Sequence, residues 1–259
     1  MGANRKHAIA FFAKLIARVI FCRMQRLNVK VCYLCGKPLL ADREAENDDH
    51  VPPEQLLARS LRKAENKIKL ITLRVHKTCN QAYSSDEEYF TQVLIPFARG
   101  SVGGNAVWEK AVADYRHGKR HLLVHRILGQ GKTNVRGVML PPGKLWLDLE
   151  QYRFDRVVGK IIRGLYFLET QRFLTLPDDV NVRLTLPGQP PPDDFERVMT
   201  YCASESKGQH QGVFAYRNAV ANDLHYWALL LWDRILITAC FKEAGAGSGP
   251  KLSSHVAPG

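Results

Sequence analysis

The sequence predicts an α+β protein, and three observations lead to that class. Two short pairs of sulfur and nitrogen donors, Cys32/Cys35 and His76/Cys79, bracket an extended segment near the N-terminus. Apolar residues (Phe154, Val157, Val158, Ile161, Ile162, Leu165, Tyr166, Leu168) recur at helical spacing. Apolar runs at 213–216 and 227–241 have the look of strands, with Trp232, Asp233 and Arg234 at a turn. The expected organisation is a basic amphipathic segment over 1–27, a small metal-stabilised unit over 28–95, a helical connector over 96–145, an α+β C-terminal half over 146–242 and a disordered tail over 243–259.

In the N-terminal segment, Lys14 and Arg18 interrupt the apolar run 8–22 four residues apart, on one helical face. That pattern predicts an amphipathic helix rather than a membrane span, and no uninterrupted apolar core marks a signal peptide. Met24 also offers a translation start, which would make 1–23 an upstream extension.

The spacing that follows is C-x2-C, forty residues, then H-x2-C. Structural zinc takes four N or S ligands in a tetrahedron, commonly delivered as two short pairs. Cys32, Cys35, His76 and Cys79 therefore form a candidate Cys3His site. Gly36 suits the tight knuckle after Cys35 because glycine tolerates positive φ. Two unrelated pairs with buried free thiols are the plainer alternative. Six cysteines in 259 residues are too few for a disulfide scaffold and fit a cytoplasmic chain. Cys22, Cys202 and Cys240 have no partner spacing and read as ordinary apolar positions.

Between the pairs lie Asp49 and His50, adjacent and so on opposite faces of a strand, with Pro52 and Pro53 ending that strand. Asn80 follows Cys79 directly, which ties its position to the metal knuckle. The strands are expected at 29–32, 47–51 and 71–75. A helix is expected to start near Ser84 or Ser85, with a serine as cap and Asp86, Glu87 and Glu88 at its positive end. Contact of those acids with a cation at Asp49 is the lesser reading.

This order of residues, C-x2-C, Asp-His-x-x-Pro, then a second zinc pair ending in Cys-Asn, resembles the HNH nucleases of the ββα-metal (His-Me finger) group, and most of all the zinc-containing branch typified by endonuclease VII. The likeness spans 31–90. His76 stands where that branch usually has cysteine, and the stretch between Pro53 and Leu73 lacks the glycine pair common there. The resemblance implies a small zinc-stabilised ββα finger that hydrolyses DNA phosphodiester bonds. It implies His50 as general base for the attacking water, with Asp49 and Asn80 holding Mg2+ or another divalent cation. An imidazole titrates near working pH, and a hard cation with oxygen ligands stabilises charge on a phosphate, so the implied roles agree with the side chains' chemistry. A non-catalytic zinc module that binds nucleic acid is the alternative.

Net charge is +12, and residues 1–40 carry eight Lys or Arg and no Asp or Glu. Such a balance suits a phosphate-bearing partner, although charge does not separate DNA from RNA. From 91 to 128 the pattern is helical with a break near 100–105. His117, His121 and His125 recur at i+4 among Arg116, Lys119, Arg120 and Arg126, the composition of a solvated basic face. Gly129 to Thr133 lacks the glycine spacing of a phosphate loop, because Arg126 stands where that glycine belongs. Aromatics of the C-terminal half are expected in a core rather than on a base-stacking platform.

Overall fold

The computed structural model describes residues 30–40, 42, 44–63, 70–142, 146–201, 205–210 and 212–242. The N-terminal amphipathic segment, the choice of start at Met24 and the tail expected over 243–259 lie outside the described residues. In place of a strand at the first knuckle there is a single bridge between Val31 and Pro38. Gly36 adopts φ +72°, as the tight turn requires.

Strand β1 (Glu46–Val51) pairs antiparallel with β2 (Ile71–His76), Glu46 opposite His76 and Val51 opposite Ile71. A short 3-10 turn (Glu54–Leu56) and α1 (Arg59–Lys63) follow β1. β2 runs without a break into α2 (Lys77–Gln81), and α3 (Ser84–Leu94) comes next. The residue at the N-cap of α3 is Tyr83, and no side chain caps that end, so the expected serine cap is not formed. The acids of its first turn are engaged elsewhere. α4 (Val102–Arg116) does have a capping hydroxyl: Ser101 Oγ accepts from the Gly104 amide at 3.1 Å. α5 (His121–Gly129) carries His121 and His125 on an exposed face, in keeping with a solvated stripe. The helical break thus spans 98–101, with a second at 117–120.

Two small strand pairs, β3 (Gly131–Lys132) with β6 (Trp146–Leu147) and β4 (Asn134–Val135) with β5 (Val138–Met139), lead to the long helix α6 (Gln151–Thr170). Its apolar stripe is buried as the periodicity predicts. β7 (Asn181–Thr185), α7 (Asp193–Tyr201), β8 (Lys207–His210), β9 (Phe214–Ala221), β10 (Leu224–Leu231) and β11 (Ile235–Lys242) complete the chain. The five strands form one antiparallel sheet in the order β7-β11-β10-β9-β8. Residues 227–241 are therefore two strands, with a turn at 232–234 where the sequence placed one. Both hairpin turns place two successive residues at positive φ, Asn222 and Asp223 in one, Trp232 and Asp233 in the other. Asn222-Asp223 is a two-residue loop, in which paired positive φ values match the right-handed strand twist, whereas the Trp232 turn has one residue more before β11.

One apolar core holds these parts together. It runs from Cys32, Tyr33 and Val51 through Phe90 and the buried face of α6 to Trp227, Trp232 and Ile237. The Trp232 indole donates to the Leu56 carbonyl at 2.9 Å, which fastens the sheet to the turn after β1. Gly164 of α6 lies against the end of β1. A Cβ there would come within 2.6 Å of Val51 Cγ2. Glycine is what lets the helix approach β1 closely and carry its side chains into the segment expected to be a separate unit.

Candidate metal centre and the adjoining polar pocket

The first knuckle and the β2–α2 junction bring Cys32, Cys35, His76 and Cys79 together, with one ligand atom from each lying within 4.8 Å of the others. Cys32 is fully buried and the other three are partly buried. His76 presents Nδ1 to Cys35 Sγ at 3.3 Å and to Cys79 Sγ at 3.9 Å. Its other nitrogen, Nε2, lies 3.1 Å from the Pro38 carbonyl, an outer contact that fixes the ring's orientation and leaves Nδ1 for a metal. Three thiols and an imidazole form a closed, soft donor set, so the group can hold a metal such as zinc.

Without a cation the thiols work against one another. Burial pushes the Cys32 thiol up. Burial, the Cys35 hydrogen bond and the neighbouring sulfurs push Cys79 up to about 12. Cys35 moves down despite its burial, held by the Lys37 amide, His76 and the other two thiols. One sulfur accepts charge most readily while its neighbours keep their protons, a distribution that a bound dication would relieve.

Asp49 and Asn80 meet beside this group, and the residue joining them is Lys160 of α6. Its ammonium donates to Asp49 Oδ1 at 2.8 Å and to Asn80 Oδ1 at 3.2 Å, and also pairs with Glu87 Oε1. The Lys160 side chain is 1% exposed. Asp49 Oδ2 accepts from the Tyr33 hydroxyl at 2.5 Å, and Asn80 Nδ2 donates to Asn47 Oδ1 at 3.4 Å. Burial and the Asp49 charge raise the Tyr33 phenol well above its ordinary value, so it stays a donor. Burial also raises Glu87, against the pull of Lys160.

The oxygen set of Asp49, Asn80 and Glu87 is of the kind that takes a hard cation. The space between the oxygens, however, is held by the Lys160 ammonium, so the residues present do not fit Mg2+ alongside it. Glu87 thus belongs to the cluster, whereas capping was the expected task of its helix turn. Asp86 is buried and taken by two arginines: Arg153 Nε donates to it at 2.7 Å, and Arg156 pairs with its other oxygen. Arg153, Arg156, Lys160 and Arg163 recur at helical spacing along α6 and face α2 and α3.

His50 sits between Asp49 and Val51 on β1, opposite Thr72. Strand alternation sets it on the other face from Asp49, together with Glu46 and Asp48, both of which pair with Arg74. It is half-buried, and with the described residues its imidazole makes no hydrogen bond or ion pair. The chain therefore gathers Asp49 with Asn80 but leaves His50 one pleat away, its ring nitrogens uncommitted. Lys160 escaped the sequence reading. Its one signal was a lysine embedded between Val157, Val158, Ile161 and Ile162 in an otherwise apolar stripe.

Among the described residues, no helix is long and apolar enough to cross a membrane. Comparison with models of protein families, with curated proteins and with solved structures finds nothing that matches this chain.

Proposed function

We propose that the chain is an HNH-type endonuclease that hydrolyses phosphodiester bonds in DNA, with a Cys3His zinc as its structural anchor. The observation that carries the reading is the meeting of Asp49 and Asn80 beside the Cys3His group, with His50 next along the strand. Two further features support it. The antiparallel pair β1–β2 running directly into α2 beside the four donors suits a ββα-metal finger, although a 3-10 turn and α1 stand between the strands, and the net charge of +12 suits a polyanion.

In this reading His50 takes a proton from water as the water oxygen forms its bond to phosphorus. The bond from phosphorus to the departing sugar oxygen breaks, and that oxygen takes a proton from solvent. The imidazole is suited to this task because its nitrogens have no partner among the described residues and it is half-exposed. Arg163, half-exposed and hydrogen-bonded to the Tyr83 hydroxyl at 3.2 Å, supplies positive charge at the pocket's edge.

The test is nicking of supercoiled plasmid by the zinc-loaded protein, with Mg2+ and with a chelator too weak to strip the zinc. The expected result is cleavage that falls by about 100-fold or more in His50→Ala, the contribution of a general base. Equal cleavage by both proteins overturns the assignment of His50. The buried Lys160 between the expected cation ligands favours a second reading, a zinc-anchored module that binds nucleic acid without cutting it. Tight DNA binding with no cleavage under any divalent ion would select that reading.

A further inference from the structure

We propose that Lys160 is the resident cation of the Asp49–Asn80–Glu87 pocket, holding the place of a divalent metal ion and closing the pocket to one. The inference concerns the same pocket as the proposed nuclease, but it rests on the contacts alone.

A lysine ammonium has three protons to donate, and here three side-chain oxygens from three different elements receive them: Asp49 Oδ1 on β1, Asn80 Oδ1 on α2 and Glu87 Oε1 on α3. Nothing in the donor inventory is left over. The second Asp49 oxygen accepts from the Tyr33 hydroxyl, and the carboxylate is 4% exposed, so little of it is turned to incoming ions. The Tyr83 ring lies 5.4 Å from Nζ and adds its π-face to the surroundings of the charge. The lysine cannot swing aside cheaply, because its stem leaves a helix whose neighbouring residues Val157, Ile161 and Gly164 are buried.

Charge balance points the same way. Two carboxylates and an amide oxygen converge in a pocket where Asp49 is 4% exposed, and buried anions persist only beside a partner. A metalloenzyme would meet that need with a dication and its waters. This chain meets it from α6, 73 residues beyond Glu87 in sequence and 111 beyond Asp49. Lys160 is thus a positioning residue: it sets the direction of Asp49 and Asn80 without reaching solvent.

The experiment measures binding of Mn2+ to the zinc-loaded protein by electron paramagnetic resonance, with zinc content followed by elemental analysis. Mn2+ binds oxygen ligands and is a weak competitor for the thiolate site. The expected result is no stoichiometric binding by wild type, and one bound Mn2+ in Lys160→Met with affinity at least about tenfold higher, since removing the ammonium removes like-charge repulsion and frees three oxygens. Adding Asp49→Asn should abolish the gained site, and Lys160→Arg should stay closed. Should Lys160→Met misfold, Lys160→Met/Glu87→Gln removes one charge of each sign and keeps three oxygens, and its binding decides. Wild-type binding of one Mn2+ that is lost in Asp49→Asn overturns the proposal, as does a folded Lys160→Met or double variant that binds none. Cleavage is not read in this assay, so a chain that never cuts DNA can still pass it, and a nuclease can fail it.

Discussion

At the residue scale the chemistry divides between two adjoining groups that differ in how much of their identity is local. The Cys3His group is local in composition: three thiols and an imidazole, two short spacings and a glycine at the turn. Removing one donor should remove the metal. In Cys79→Ala, zinc content measured on the purified protein should fall to a small fraction of wild type, and retained stoichiometric zinc would refute the ligand assignment. The direction of pH dependence follows from the thiols. Cys32 and Cys79 are both raised in the metal-free protein, so they are protonated near neutrality and must lose those protons to ligate. Zinc binding therefore releases protons, and its affinity should weaken progressively from about pH 8 to about pH 6. Competition with a chromophoric chelator across that range measures the slope, and a flat profile contradicts it. The Asp49 cluster is the opposite case, since its central charge comes from a residue that no short motif contains.

At the scale of elements, α6 decides the outcome. Its buried face packs into the core, and its polar edge sends Arg153, Arg156 and Lys160 to α3 and β1. Asp86 and Glu87 stand in the first turn of α3, where the helix dipole favours acids. Ion pairing across the α3–α6 contact overrides capping as their main task, because those side chains are buried or half-buried and need partners of opposite charge. The close approach of α6 to β1 depends on Gly164. Gly164→Ala would set a methyl 2.6 Å from Val51 Cγ2, 2.9 Å from Val51 Cγ1 and 3.3 Å from Tyr33 Cε2, two side chains that are themselves buried and have little room to give way. The expected loss is about 1–3 kcal/mol, the usual range for overpacking a filled site. Chemical denaturation measures it, and an unchanged midpoint would show that helix and strand have slack between them. The hairpins of the sheet are the more legible elements. Asn222-Asp223 is a readily adopted positive-φ pair, and the turn at Trp232 was marked by the polar Asp233 and Arg234 that follow it.

At the scale of the whole molecule, the metal group and the sheet share one core. Cys32 and Tyr33 lie in the same apolar cluster as Trp227 and Trp232, and the Trp232 indole holds the Leu56 carbonyl across 176 residues. Cooperative unfolding follows from that continuity. On heating, zinc release detected by a metal-sensitive dye and the change in tryptophan fluorescence should share one midpoint, and chelation should lower both together. All four tryptophans lie outside residues 28–95, so a sheet that unfolds separately from the metal segment would give two resolved transitions.

What the sequence determined by itself were the features set by spacing and local stereochemistry: the two donor pairs, the strand pair between them, the junction that places Asn80 after Cys79, and the apolar stripe of α6. Such features need only neighbours within a turn or a few residues. Tertiary structure alone decided that Asp86 and Glu87 face arginine and lysine, and that Lys160 stands between Asp49 and Asn80. Each of these depends on which distant charge is buried beside which. A buried ion takes whatever counter-ion the packing brings to it, and the chain's linear order does not record that meeting.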